Sequence, residues 1–172
     1  MILKEISHNE FDGIFAEMEK NFIPDERRDR DAAKKLLDKS EYKIYHTVEE
    51  GERVGFITVW ELSDFTFIEH FVTYETYRNK GYGAKVLSAL KEKYERLLLE
   101  AEPPVSEMQK RRVAFYERNG FVQNPQKYMQ PAYRSDGAEV ELVLMSYPCK
   151  LECYADTVRE IYGKVYNKRR QI

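Results

Sequence analysis

Two glycines separated by one residue lie where a predicted strand gives way to a predicted helix. The stretch "RNKGYGA", residues 78–84, follows a β-branched and aromatic run and opens a helical pattern. Glycine adopts positive φ and has no Cβ, so a ligand can touch the main chain there. A helix start also directs unpaired N–H groups and a positive dipole end outward. Gly81 and Gly83 therefore indicate an anion site, unless they only permit a tight turn.

Two common anion-binding folds do not fit this glycine turn. No Gly-Lys-Ser/Thr follows at the spacing of a Walker motif. A dinucleotide fold needs parallel strands linked by helices, whereas the strands before Gly81 are predicted to be joined by hairpins. Replacing Gly83 by Val is expected to abolish anion binding, because the added Cβ would lie where a phosphate must approach.

The spacing of apolar residues predicts the elements that hold this turn. It indicates two helices, three hairpin-linked strands, a helix, a strand, a helix and two strands. This order implies an α/β (α+β) fold with a mixed, mostly antiparallel sheet flanked by helices and a C-terminal helical extension. The predicted helices span about 8–20, 25–40, 81–96, 106–119 and 150–168; the predicted strands fall in 42–48, 54–62, 65–74, 96–102, 120–124 and 140–147.

Length and composition limit the classes of partner. We expect 172 residues to form a single domain, with a core of about 1–147. A net charge of −2 argues against nucleic acid, and the basic "KRR" at 168–170 is too short to change this. Without a long apolar run or a signal-peptide pattern at the start, we expect a cytoplasmic protein that binds no membrane. Cys149 and Cys153 are expected to be reduced thiols, with no metal site.

Two motifs together resemble a known superfamily. "RNKGYGA" resembles the RxxGxG/A signature of the GNAT N-acetyltransferases, and "RRVAFYERNGF" at 111–121 resembles their second signature. The resemblance covers about residues 1–145. It implies acetyl-coenzyme A (acetyl-CoA) as cofactor, with its pyrophosphate on Arg78, Asn79, Lys80, Gly81, Tyr82, Gly83 and Ala84. It also implies that the pantetheine arm runs along Phe71, Val72 and Thr73 like an added strand.

Tyr116 occupies the tyrosine position of the second signature, which in this superfamily commonly reaches the cofactor sulfur. A phenol there can donate to the departing thiolate. The alternative is an aromatic core residue beside Phe115. Gln109 stands where an asparagine often contacts the cofactor, and Arg112 stands where alanine is usual. Both departures put side-chain contacts from this helix in question.

Acetyl transfer to an amine requires a base, because the nitrogen must lose a proton before it attacks. The strand "FTFIEHFVT" offers Glu69 and His70, which would point to opposite faces unless a bulge intervenes. We assign Glu69 as base or water-orienting group; the alternative is a carboxylate paired to a nearby Arg or Lys. His70 is interpreted as a hydrogen-bonded structural histidine.

The acceptor pocket of such a fold lies between the first two helices and the loop that joins the last two strands. Those segments are "NFIPDERR" and "YMQPAYRSDG" here. Aromatic faces and a carboxylate would hold a cationic amine there, unless they are ordinary loop anchors; the candidates are Phe22, Glu26, Tyr128 and Tyr133.

Three functions remain open on the sequence alone. The first is acetylation of a small amine, with Tyr116 and Glu69 as catalytic residues. The second is acetylation of a protein lysine or N-terminus, and the third is a non-catalytic module that binds CoA. The apolar face of the last predicted helix has no obvious destination, so a homodimer that covers it is one expectation.

Overall fold

Eight strands form one sheet in the computed structural model, which describes residues 1–168. All neighbouring strands are antiparallel except β4 and β5, which are parallel. The order across the sheet is β1-β2-β3-β4-β5-β8-β6, and β7 also pairs with β8. The strands are β1 Ile2–Glu5, β2 Tyr42–Glu49, β3 Glu52–Glu61, β4 Thr66–Thr73, β5 Leu97–Ala101, β6 Val122–Gln123, β7 Tyr128–Gln130 and β8 Val140–Tyr147. The predicted fold class is confirmed.

Helices cover both faces of this sheet. They are α1 Phe11–Asn21, α2 Arg30–Lys35, α3 Tyr82–Lys93, α4 Glu107–Arg118 and α5 Tyr154–Glu160, and α5 continues into a π-helical turn, Ile161–Val165. A capping box begins α4: the Gln109 amide donates to Ser106 Oγ, and the Ser106 amide donates to Gln109 Oε1. Short 3₁₀ turns lie at His8–Glu10, Pro24–Glu26, Leu36–Asp38 and Glu75–Tyr77.

The second helix is shorter than predicted. Asp29 has extended backbone and its side chain accepts the N–H of Ala32, so the helix begins only at Arg30. Residues 27–29 therefore form an irregular connection between the Pro24–Glu26 turn and α2. Arg28 lies in this connection, and its side chain forms an ion pair with Glu69 of β4.

Two hydrophobic clusters lie on opposite faces of the sheet. The cluster under α1 and α2 includes Phe11, Trp60 and Phe67, and the cluster under α3 and α4 includes Leu87 and Leu90. The C-terminal helix packs on the first cluster through buried residues: Val158, Ile161, Tyr162, Val165 and Tyr166. Its apolar face thus packs within the chain, which removes the sequence-based reason for expecting a homodimer.

The sequence also raised the questions of a membrane span, a metal site, the two cysteines and the basic segment at 168–170. Within the described part of the chain, no helix is long and apolar enough to cross a membrane. No group of three or more His, Cys, Asp or Glu side chains among residues 1–168 is placed to hold a metal ion. Cys149 and Cys153 are free and exposed. Of the basic "KRR", Arg169 and Arg170 lie outside the described residues.

Candidate active site

The parallel strands β4 and β5 separate after three paired positions. Thr66, Phe67 and Ile68 pair with Leu97, Leu98 and Leu99, and no further pairs follow between these strands in the described chain. β3 pairs with one edge of β4. The other edge of β4 is therefore unpaired over residues 69–73. A cleft of about 430 Å³ lies at this divergence, lined by Asn21, Phe22, Ile68, Glu69, Phe71, Val72, Thr73, Arg78, Leu99, Glu100, Arg112 and Tyr116. An unpaired strand edge inside a cleft can bind an extended ligand through main-chain hydrogen bonds.

The glycine turn lies at one end of this cleft. Asn79 and Gly81 have φ of 60° and 81°, and α3 begins immediately afterwards at Tyr82. Within residues 1–168 no side chain caps this helix, so the first N–H groups, including those of Gly83 and Ala84, lack a capping partner. Lys80 and Gly81 are exposed. The turn therefore has the main-chain geometry and dipole of an anion cradle.

The two glycines serve different purposes. A Cβ on Gly81 would meet nothing within 4 Å, so glycine is needed there for its left-handed φ. A Cβ on Gly83 would lie 3.2 Å from Phe115 Cζ and 3.8 Å from Phe71 Cζ. Glycine at position 83 therefore lets α3 pack closely against α4, since the contact with Phe115 would be tighter than usual. That an added Cβ would also block a phosphate stays a prediction.

The signature arginine braces this turn against its neighbours. Arg78 Nε donates to the carbonyl of Thr73 at 3.1 Å, and its Nη2 donates to Asn21 Oδ1 at 2.7 Å. These bonds fix the turn to the end of β4 and to the last residue of α1. Arg78 thus orders the cradle through its side chain.

A bulge in β4 changes the direction of its side chains. Thr58 pairs with His70 and Val59 pairs with Ile68, so Glu69 is an extra, unpaired residue. Glu69 and His70 consequently both contact residues on the α1 and α2 face. The strand pattern alone would have placed them on opposite faces.

The Glu69 carboxylate is fully enclosed by partners. It forms an ion pair with Arg28, and it accepts from Trp60 Nε1 at 3.0 Å and from the Tyr133 hydroxyl at 3.2 Å. Burial alone would raise the pKa of Glu69, but the Arg28 charge and these hydrogen bonds lower it overall. A carboxylate with a lowered pKa is a weak base, so the pairing with an arginine weighs against Glu69 as the proton acceptor.

Both ring nitrogens of His70 have partners. Nε2 lies 3.2 Å from the carbonyl of Glu26, which can only accept, so Nε2 carries the proton. Nδ1 then accepts from the Thr58 hydroxyl at 3.1 Å. Burial lowers the pKa of His70, which keeps the ring neutral. This arrangement supports the interpretation of a structural histidine.

A second carboxylate, that of Glu100, also lines the cleft. It was not predicted from the sequence. Glu100 on β5 accepts from the Tyr128 hydroxyl, from Gln130 Nε2 at 2.6 Å and from the Tyr166 hydroxyl at 2.7 Å. Burial raises the pKa of Glu100 to about 7, against the lowering effect of these three donors. The available signal was a single charged residue inside the apolar strand "LLLEA". A pKa near neutrality suits a group that must take a proton.

Tyr116 lines the cleft from α4. Its ring packs on Phe115 and Phe121, with centroid distances of 5.3 and 5.9 Å. Within residues 1–168 its hydroxyl has no hydrogen-bond partner, and burial raises its pKa to about 12. Tyr116 is therefore both an aromatic packing residue and a protonated donor whose hydroxyl is available to a ligand.

The neighbouring α4 side chains are engaged within the protein. Gln109 closes the capping box and its Nε2 donates to Glu102 Oε1 at 3.3 Å. Arg112 pairs with Glu102 at 2.8 Å. In this geometry the Gln109 side chain caps α4. Its contact with the cofactor remains a prediction.

The four predicted acceptor residues separate into different environments. Phe22 lines the cleft and packs edge-on against His70, with ring centroids 4.7 Å apart. Tyr133 contacts Glu69, whereas Tyr128 is fully buried and donates to Glu100. Glu26 is exposed, and its carboxylate accepts the N–H of Ile23 at 3.3 Å. Two of the four thus contact the carboxylates, Phe22 lines the same cleft, and Glu26 contributes its main-chain carbonyl to His70.

Comparison with known proteins agrees with this geometry. The profile of the Acetyltransferase (GNAT) family matches residues 9–121, and the chain belongs to that family. Membership makes it an acetyltransferase whose acetyl donor is acetyl-CoA. No curated protein sequence matches the chain significantly.

Solved structures share the fold over most of their length. A Bacteroides thetaiotaomicron protein assigned to the GNAT family is 27% identical, with a TM-score of 0.93 over 98% of this chain and 100% of that one. A variant spermidine N-acetyltransferase from Vibrio cholerae has 13% identity and a TM-score of 0.62, covering 85% and 94% of the two chains. The Escherichia coli ribosomal-protein-S18-alanine N-acetyltransferase has 16% identity and a TM-score of 0.62, covering 87% and 94%. At these identities the last two show the fold alone.

Proposed function

We propose that this protein transfers the acetyl group of acetyl-CoA to a primary amine of a small molecule, by direct attack of the nitrogen on the thioester. One observation carries the proposal: the unpaired edge of β4, the Tyr116 side chain and Glu100 line one cleft, and Arg78, which leads into the uncapped start of α3, lines it as well. These are the four elements needed to grip an extended anionic donor, to stabilise a leaving sulfur and to deprotonate an amine.

The donor has a defined place in this proposal. The amides of residues 79–84 receive the pyrophosphate, and residues 71–73 of β4 pair with the pantetheine arm. When bound, acetyl-CoA supplies a thioester carbonyl that a neutral amine can attack. Arg78 keeps the turn in place through Thr73 and Asn21.

Glu100 takes the proton from the incoming amine in this proposal, in place of Glu69. An alkylammonium has a pKa of about 10.4, roughly 6 units above that of an ordinary glutamate. Because the pKa of Glu100 is about 7, the gap narrows to about 3 units. Glu69 keeps a structural role in the ion pair with Arg28. The three donors around Glu100 fix the orientation of its carboxylate.

Tyr116 donates a hydrogen bond to the sulfur as the carbon–sulfur bond breaks. Replacing Tyr116 by Phe is expected to lower kcat about tenfold, with affinity for CoA nearly unchanged. The effect is modest because a thiol has a pKa near 8.5, so its thiolate leaves fairly well without a proton. Steady-state kinetics with calorimetry measure the two quantities; a large loss of affinity with kcat intact would contradict this role.

The acceptor class is tested by thiol release from acetyl-CoA. We expect turnover with a panel of small primary amines and little with a panel of peptides carrying lysine or a free N-terminus. Turnover on peptides alone would show a protein acetyltransferase. Release on neither panel, with CoA still bound, would show a binding module.

A further inference from the structure

The Arg28 side chain lies in a cluster of groups of the kind that bind organic cations, here named the cation site. Its guanidinium carbon lies 5.7 Å from the Trp60 ring centroid and 4.9 Å from that of Tyr133. The guanidinium pairs with Glu69 and donates through Nη2 to the carbonyl of Val165. Only 12% of the Arg28 side chain is exposed. Two aromatic faces, a carboxylate and a carbonyl are the groups that bind an ammonium or guanidinium ligand.

This cation site adjoins the cleft where the acceptor must enter. Glu69 lines the cleft, as does Phe22 at the end of α1. The Glu69 side chain is fully buried, with Arg28, Trp60 and Tyr133 around its carboxylate. Of the acceptor residues predicted from the sequence, Tyr133 is thus already in contact with the protein's own arginine.

The neighbouring arginine does not share this position. Arg27 lies over the Phe15 ring at 5.3 Å, pairs with Glu19 at 3.3 Å and donates to the Phe22 carbonyl at 3.4 Å, and it does not line the cleft. Both arginines come from the same irregular connection before α2 and have similarly small exposed fractions, 14% and 12%. Arg27 is therefore a matched control for the loss of a positive charge from this connection.

On the acceptor side of the cleft, one of the two carboxylates has a positive partner and the other has none among residues 1–168. Arg28 neutralises Glu69, whereas Glu100 accepts only from Tyr128, Gln130 and Tyr166, and among residues 1–168 it has no ion-pair partner. The Glu100 carboxylate can therefore balance the charge of one ammonium group. A second ammonium on the same acceptor, extending past Glu100 toward Glu69, would find that carboxylate already paired with Arg28 and would be buried without a counter-charge.

We infer that Arg28 is a specificity-determining residue that restricts the acceptor to amines with a single cationic nitrogen and disfavours diamines and polyamines. This inference rests on the proposed function, because it concerns the acceptor of the same cleft. Removal of Arg28 would uncover Glu69, Trp60 and Tyr133 as a subsite for a second ammonium.

The experiment compares pentylamine with 1,5-diaminopentane, which differ only in the second amine. Wild-type protein is expected to prefer pentylamine in kcat/KM by at least about tenfold, and Arg28→Ala to reduce that preference by about tenfold or more. Arg27→Ala should keep the wild-type ratio. A wild-type protein that uses both amines equally well would overturn the inference, whatever the variants do.

A second readout does not depend on catalysis. Without acetyl-CoA, guanidinium at about 10 mM is expected to raise the melting temperature of Arg28→Ala and leave that of wild type and Arg27→Ala unchanged. If no amine is turned over, the proposed function fails, and this stabilisation still decides whether the cation site exists. An Arg28→Ala protein that folds normally by circular dichroism, yet keeps the wild-type amine ratio and ignores guanidinium, would refute the role of Arg28.

Discussion

Replacing Gly81 by Val is expected to weaken binding of coenzyme A at least about 100-fold. Gly81 has a φ of 81°, a conformation that β-branched residues rarely adopt. The turn must rewind to relieve that strain, and the amides of residues 79–84 then no longer converge on one anion. An added Cβ would meet nothing within 4 Å, so the expected effect comes from the backbone conformation. Isothermal titration calorimetry measures the affinity.

Gly51 provides the control for backbone strain. It has a φ of 85° in the turn between β2 and β3, and a Cβ there would also meet nothing within 4 Å. Gly51→Val should lower the melting temperature by an amount similar to Gly81→Val and leave CoA affinity unchanged. Equal CoA affinity in wild type and Gly81→Val would show that the turn does not bind the diphosphate.

Replacing Glu100 by Gln is expected to lower kcat by about 100-fold, since an amide cannot accept the amine proton. The wild-type kcat should rise with pH through about 7, where Glu100 loses its proton, and this limb should disappear in the variant. A full pH–rate profile of both proteins measures the effect. Glu141→Gln, which alters an exposed carboxylate of β8 paired with Lys127, should keep the wild-type profile. An unchanged kcat in Glu100→Gln would remove Glu100 from the mechanism.

The same variant tests the environment of Glu100 without any substrate. Because burial raises its pKa from about 4.5 to about 7, the folded protein binds one more proton than the unfolded chain between those pH values. The stability contributed by this group is full below about pH 4.5 and falls by up to about 1.4 kcal/mol per pH unit as pH rises to about 7. Urea unfolding of Glu100→Gln should lack this decline relative to wild type. Parallel pH curves for the two proteins would show that Glu100 is not perturbed.

The regular elements of the fold could be predicted because their signals are local. The meander of β2, β3 and β4 follows alternating apolar residues, and Ser106 with Gln109 fixes the start of α4. The strands that were missed are short: β1 has four residues and β7 has three. Strands of that length carry no periodic pattern, and they form because a long neighbour, β2 or β8, offers them a paired edge.

The positive-φ turn before α3 and the place of Tyr116 in the cleft were predictable because their motifs lie on consecutive residues. The surroundings of the Glu69 and Glu100 carboxylates could not be predicted, because they depend on contacts between residues far apart in the chain. Arg28 and Glu69 are 41 positions apart, and Tyr166 and Glu100 are 66 apart. The bulge at Glu69 and the packing of the C-terminal helix determine which carboxylate is paired and which keeps a raised pKa. Neither feature has a signature in the local sequence.

Hydrogen–deuterium exchange with and without coenzyme A tests the central claim most directly. The claim is that main-chain amides of the glycine turn and of the open β4 edge bind the donor. Saturating coenzyme A should slow exchange within residues 79–84 and 69–73, and leave the turn between β2 and β3 unaffected. Unchanged exchange in both segments at millimolar coenzyme A, or protection confined to another part of the chain, would contradict the account.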